Sequence, residues 1–228
     1  TSKPGTADLT STLMLKGCKG FTAGELAETL DGLGINLSIN SYTDYTIIES
    51  TGLMKHFDKF LEIFEKILYS PTFSEEELEK AKKQLLSQLQ YEKGEPRTLA
   101  SKLASKVIYG ENHPYSNYPT PESVKSITVD DIRDYYDKYY IPNQASIAII
   151  GDFETMDMLD KIKNSFKDWE KGEKLVIKMP VVKQLPKGVY FIERPGAVQS
   201  TIQITYKAIP YGNRNYDKLS LASSVISG

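Results

Sequence analysis

The stretch Ser70-Pro71-Thr72-Phe73-Ser74-Glu75-Glu76-Glu77-Leu78 divides two helical patterns and sets the frame for the rest of the chain. Before it, Phe57, Phe60, Leu61, Phe64, Ile67 and Leu68 recur at helical spacing on one wide apolar face that must stop ahead of Pro71. After it, Ser74 with Glu77 forms a capping box, and three acids fall in the first turn, where the helix dipole favours negative charge. Leu78, Leu85 and Leu89 then supply a buried stripe, Pro96 interrupts it, and Leu99, Leu103 and Val107 restart it.

Upstream, Leu9, Leu13 and Met14 predict a helix over 7–16, closed by Lys16-Gly17. Thr22-Ala23-Gly24-Glu25 caps a second, striped by Leu26, Leu30 and Leu33 and ended by Gly34. Ile35–Ser41 alternates strictly and Tyr45–Ser50 is rich in β-branched residues, which predicts a hairpin. Downstream, Gly110–Pro121 reads as a loop of turn residues and aromatics, and Thr128 caps a helix to about Tyr139. Ala145–Ile150 reads as a short strand, and a helix comes next at roughly 154–167. After a Lys/Glu/Gly/Pro-rich linker come two strands, Val189–Glu193 and Ser200–Tyr206, and a final helix over Leu219–Ile226. The expectation is an α+β fold, a mixed, largely antiparallel sheet packed with long helices and truncated at both ends. Its expected divisions are a domain over 1–170, a linker over 171–188, and the strand-strand-helix opening of a second, similar domain over 189–228.

Composition narrows the functional classes. Lys and Arg total 28 against 30 Asp and Glu, so no global field steers nucleic acid, and no basic stripe interleaved with aromatics occurs. Nothing approaches the 18 or so consecutive apolar residues of a membrane span. The single cysteine, Cys18, excludes an intramolecular disulfide framework and a Cys-rich zinc site, and reads as a buried small apolar residue. Compartment is not fixed by these features.

The residues alone offer little chemistry. His56 and His113 each lack a second histidine three or four places away, the spacing that sets two imidazoles on one ion from a helix. There is no Gly-x-Ser-x-Gly elbow and no phosphate-cradling glycine pattern. The acids Glu75–Glu79 are explained by capping and the dipole. The aromatic loop Tyr109, His113, Tyr115 and Tyr118 either packs over its own core or stacks on a ligand.

Several of these stretches, in order, resemble the insulinase, pitrilysin and mitochondrial processing peptidase family, zinc metallopeptidases built on an inverted His-x-x-Glu-His helix. The matching segments are Leu13–Gly17, Phe21–Gly34, the hairpin at Ser38–Ser50, Ser70–Leu78, Tyr109-Gly110 with His113-Pro114-Tyr115, Tyr139–Asn143 with Ile147–Gly151, and Gln199 after Arg194-Pro195-Gly196. The resemblance implies the metalloenzyme fold of the processing-peptidase type, with the first domain's two leading strands lying ahead of Thr1. It also implies that Asp8 and Thr12 stand where the family has its two zinc histidines, and Ser11 where it has the general-base glutamate. The third ligand position, a glutamate in the family, falls at or near Gln88. With all four changed, neither a catalytic residue nor a metal ligand is expected in this chain. Zinc is expected in a partner half.

The role this resemblance implies is that of the non-catalytic half or fragment of an insulinase-like peptidase. It would line a peptide-binding chamber and pair with a zinc-bearing homologous half, with peptides adding as a strand to Ile35–Ser41 or Tyr45–Ser50. The alternative is a structural scaffold subunit of a larger complex without a proteolytic role. A third reading, an enzyme with rebuilt ligands at His56 or His113, is opposed by their separation in sequence. One further expectation is that Val189–Tyr206 fills the vacant sheet positions, in the same molecule or in a neighbour, an idea that fails if those strands stand unpaired.

Overall fold

In the computed structural model, residues 3–174, 176, 179–182, 187–205 and 208–227 are described. The chain divides into two compact units, Thr1–Glu92 with Tyr118–Lys178, and Lys93–Asn117 with Met179–Gly228.

In the first unit, helix α1 (Thr6–Met14) buries Leu9, Leu13 and Met14. It is followed by Gly17, whose φ of 120° is disfavoured for L side chains and whose missing Cβ would sit 3.2 Å from the Phe21 carbonyl oxygen. That glycine opens a tight ladder in which β1 (Gly17–Cys18) pairs antiparallel with β2 (Phe21–Thr22). The deciding stretch is stitched onto this ladder. Cys18 bridges Pro71, the Lys19 amide donates to the Ser70 carbonyl at 2.9 Å, and the Thr72 amide donates to the Gly17 carbonyl at 3.1 Å.

Phe73, next in line, takes a left-handed φ of 47° and keeps only 4% of its surface exposed, with its ring edge-on to Tyr136 at 5.4 Å. Left-handed backbone costs a non-glycine residue roughly 1–2 kcal/mol. Burying a phenylalanine side chain contributes about 1.5–3 kcal/mol, so burial outweighs the strain.

Helix α2 (Ala23–Gly32) starts from a reciprocal capping box between Thr22 and Glu25. Strands β3 (Asn36–Ser41) and β4 (Thr46–Thr51) pair antiparallel from Asn36↔Thr51 to Ser41↔Thr46. Two helices flank the deciding stretch, α3 (Phe57–Tyr69) and α4 (Glu75–Glu92). The core gathers α1, α2, the β3–β4 hairpin, α3 and α4 around Leu13, Met14, Leu26, Ile63, Ile67 and Leu78.

The second unit opens with α5 (Pro96–Tyr109), whose Ser101 hydroxyl donates to the Gln203 side-chain oxygen at 3.4 Å. Back in the first unit come α6 (Pro121–Ser126), α7 (Val129–Tyr139), with a Thr128–Asp131 capping box, and α8 (Thr155–Ser165). Helix α9 (Tyr216–Ser227) closes the second unit.

The α+β class and the antiparallel pairing are as expected, but the sheet is smaller than expected: two two-stranded ladders among the described residues. Ala145–Ile150 forms no ladder there, and neither do 189–193 or 200–205. The composition of these runs favours strands, but strand backbone is stabilised only by a neighbour, and none of the described residues pairs with them. The filling of vacant sheet positions by 189–205 is therefore not realised among the described residues of this chain. Tyr206, the expected end of the second of these strands, lies outside the described residues, as do Gly228 and parts of the linker. The β1–β2 ladder and α6 are additions to the sequence reading. The Thr120 cap with Pro121 at the first helical position was the signal for α6.

Candidate functional site

Helix α1 packs against α4, α7 and β3, so the four positions carried over from the family motif meet different surroundings. Ser11 faces inward, 2% exposed, with its hydroxyl oxygen 3.2 Å from that of Tyr140. Tyr140 also shares a hydrogen bond with Thr46, so three hydroxyls join α1, the residue after α7 and the start of β4. Burial pushes the Tyr140 phenol up from its ordinary value, and the hydrogen bonds with Ser11 and Thr46 offset part of that.

Thr12 is turned back on its own helix, with its hydroxyl donating to the Asp8 carbonyl at 2.9 Å. Asp8 reaches solvent, yet protein crowds its carboxyl. That desolvation raises its pKa, a backbone hydrogen bond opposes the rise, and the charge of Glu92 adds to it. Gln88 is exposed on α4 and donates its amide to the Glu92 carboxylate at 3.0 Å. The fold therefore brings Asp8 within electrostatic range of Glu92 and sets Gln88 against the same glutamate, while Ser11 points elsewhere.

A zinc ion takes four nitrogen, sulfur or oxygen donors at about 2.0–2.3 Å. The motif positions do not fit it. They hold no imidazole, the threonine hydroxyl is bonded within its helix, and the serine is sequestered beneath a tyrosine. No group of three or more His, Cys, Asp or Glu side chains able to hold a metal occurs among the described residues.

Neither histidine lies on α1 or α4, the helices that carry the motif positions. His56 ends a short 3-10 turn, Met54–His56, just ahead of α3. His113 is buried in the second unit, stacked on Tyr109 at 4.9 Å, and its Nδ1 accepts the Tyr115 amide at 3.1 Å. The aromatic loop thus packs on itself. Cys18 is buried, as expected.

Sequence reasoning missed the tyrosines around the motif helix. Tyr135 pairs with Tyr139 at 4.4 Å, and Tyr136 stacks on Tyr140 at 5.3 Å. Burial raises the Tyr135 phenol, with Tyr140, Tyr139 and Asp8 adding to the effect. Tyr136 is pushed up to about 12, again chiefly by burial, and donates its hydroxyl to the Leu68 carbonyl. The signal was there in the repeat Tyr135-Tyr136-Asp137-Lys138-Tyr139-Tyr140, which sets two aromatic pairs at helical i,i+4 spacing.

Beside this cluster the first unit carries a half-open groove of about 810 Å3. Its lining includes Phe57, Phe60, Phe64, Phe166 and Trp169, along with Thr46, Ile48 and Ser50 of β4 and residues 145–150.

Comparison with known proteins gives these positions a context. Residues 1–117 match the family described as Insulinase (Peptidase family M16), and residues 126–228 match the domain described as Peptidase M16 inactive domain. An uncharacterized zinc protease YmxG of Bacillus subtilis is 27% identical over 74% of this chain and 41% of its own length. A protein called non-peptidase homolog YmxG, from Helicobacter pylori, is 27% identical over 74% of this chain and 39% of its own. The chain thus spans about two fifths of the length of these curated relatives. A crystal structure of a peptidase M16 inactive domain from Pseudomonas fluorescens superposes with a TM-score of 0.73 at 26% identity, covering 80% of this chain and 45% of that one. With more than half of its residues matched by the peptidase profile and nearly all the rest by the companion domain, the chain belongs to the insulinase family, peptidase family M16.

Proposed function

We propose that this chain is a non-catalytic part of an insulinase-type assembly, forming the wall of a peptide-holding chamber and pairing with a zinc-bearing homologous half. The observation that carries the reading is the state of the four motif positions. Asp8, Ser11, Thr12 and Gln88 lack the imidazoles and carboxylate that lower the pKa of a zinc-bound water, and lack a base to take its proton. Ser11, Thr12 and Gln88 are also already engaged in hydrogen bonds within the chain. The names of the Helicobacter relative and of the Pseudomonas domain support the same reading.

A wall that grips peptides without sequence preference needs exposed backbone hydrogen-bonding groups. Among the described residues strand β3 is paired on one side only, by β4, so its outer edge is the place for a peptide to add as a strand.

Zinc stoichiometry after dialysis against micromolar zinc, run beside cleavage assays on a mixed peptide pool, tests the proposal. The expected result is a ratio near zero and no cleavage, with amide exchange in Asn36–Ser41 slowed by the peptides. A ratio near one that is abolished by Thr12→Ala or His113→Ala would mean a rebuilt metal site and would overturn the reading.

A further inference from the structure

The first unit carries a second, smaller groove where the end of α3 meets the end of α8. Glu65 and Tyr69 line it from α3, and Ser165 and Asp168 from the last residue of α8 and the turn beyond. The Tyr69 hydroxyl donates to the Ser165 carbonyl at 2.9 Å. Burial raises the pKa of this phenol, and the negative charges of Glu65 and Asp168 add to the rise. The phenol therefore keeps its proton at neutral pH, with two carboxylates near enough for their charge to be felt.

The Tyr69 ring also meets Trp169 edge-on, with centroids 6.5 Å apart, and Phe166 neighbours both, at 6.4 and 5.9 Å. Trp169 is the only tryptophan in the chain, and it lines the larger groove. One ring contact thus joins the two grooves. Indole and phenol both surrender single electrons to radical oxidants. At neutral pH the phenol is the easier of the two to oxidise, provided that its proton has a base to go to. Tyr140, whose backbone carbonyl takes the Trp169 N–H at 3.2 Å, has its phenol tied to the hydroxyls of Ser11 and Thr46, which are poor bases. Tyr69 has carboxylates.

We infer that Trp169 and Tyr69 form a one-electron relay, which carries an oxidising equivalent left at Trp169 by a radical oxidant to Tyr69 in the smaller groove. In the first step the oxidant takes one electron from the indole and the indole N–H proton passes to water, which leaves the neutral Trp169 radical. In the second, one electron passes from Tyr69 to Trp169. The phenol proton goes to the Glu65 or Asp168 carboxylate, and the indole nitrogen recovers a proton from water. The sum is Trp169 restored and Tyr69 left as the neutral radical. The relay is independent of the catalytic reading, since it needs neither a metal nor a peptide, and it would clear radicals from the larger groove.

Pulse radiolysis with azide radicals, which oxidise indole in preference to phenol, tests the relay on the whole chain. The indole-radical absorbance is expected to decay in a first-order phase, at a rate independent of protein concentration, matched by a rise in tyrosyl-radical absorbance. Tyr69→Phe keeps the ring contact and should remove that phase. Glu65→Gln combined with Asp168→Asn keeps Tyr69 but removes the proton acceptors, and should slow the phase roughly tenfold. This double variant decides the matter if Tyr69→Phe fails to fold. Tyr42→Phe, at an exposed tyrosine whose ring meets Tyr45, should leave the rate unchanged. A decay that scales with protein concentration would overturn the inference. So would a phase that survives Tyr69→Phe, is indifferent to the loss of both carboxylates, or slows equally in Tyr42→Phe.

Discussion

Helices α1 and α9 carry similar apolar stripes and meet opposite fates. In α1, Leu9, Leu13 and Met14 retain 2%, 1% and 0% of their surface. In α9, Leu221, Val225 and Ile226 retain 68%, 76% and 86%. A stripe says which face of a helix can be buried and nothing about whether a partner stands ready. For α1 the partners are present, since α4, α7 and β3 close around it, and each fully buried side chain contributes about 1.5–3 kcal/mol. For α9 the described residues supply no such contribution.

The contrast breaks if equal truncations cost the same in both helices. Leu13→Ala should destabilise the protein by about 2–5 kcal/mol in urea unfolding, whereas Leu221→Ala should stay within about 0.5 kcal/mol. Tyr140→Phe sharpens the picture of what holds α1, since it leaves the buried Ser11 hydroxyl without its tyrosine partner, and should cost about 1–3 kcal/mol. Thr128→Ala removes the cap of α7, against which α1 rests, at about 1 kcal/mol.

The smallest effect concerns Asp8, and it depends on pH. Its pKa is raised in the folded chain, so the folded state holds the proton more tightly than the unfolded state does. That contribution is complete below the ordinary value of 3.8 and is lost as pH rises through the raised folded value. Thermal melts should therefore show Asp8→Asn slightly more stable than the parent at pH 7, with the gap closing toward pH 3. A gap that widened in acid would contradict the crowding of this carboxyl.

Features encoded within a few residues were legible in the sequence. The Thr22–Glu25 and Thr128–Asp131 boxes each close over three residues, and both helices start where those letters stand. The run Ala145–Ile150 has the letters of a strand without the ladder, because a ladder needs a distant partner, which local composition does not supply. The site divides the same way. Local spacing is enough to set Asp8, Ser11 and Thr12 on one helix. The bond between Ser11 and Tyr140 joins residues 129 positions apart, and no periodicity announces it. The tyrosine pairs around the end of α7 are within reach of an i,i+4 reading, which the boundaries of that helix alone do not reveal.

The left-handed backbone at Phe73 also acts as the fulcrum of a lever. Helix α4 begins two residues later, and at about 1.5 Å per residue Gln88 stands roughly 20 Å along it from its first residue. A swing of about 10° at the fulcrum would carry Gln88 sideways by about 3 Å at that distance, and Glu92 with it on the same helix. The alignment of α4 with Asp8 on α1 thus depends on the turn that leads into α4 as well as on the packing of α4 against α1, and a change at Phe73 would be felt most at the helix's far end.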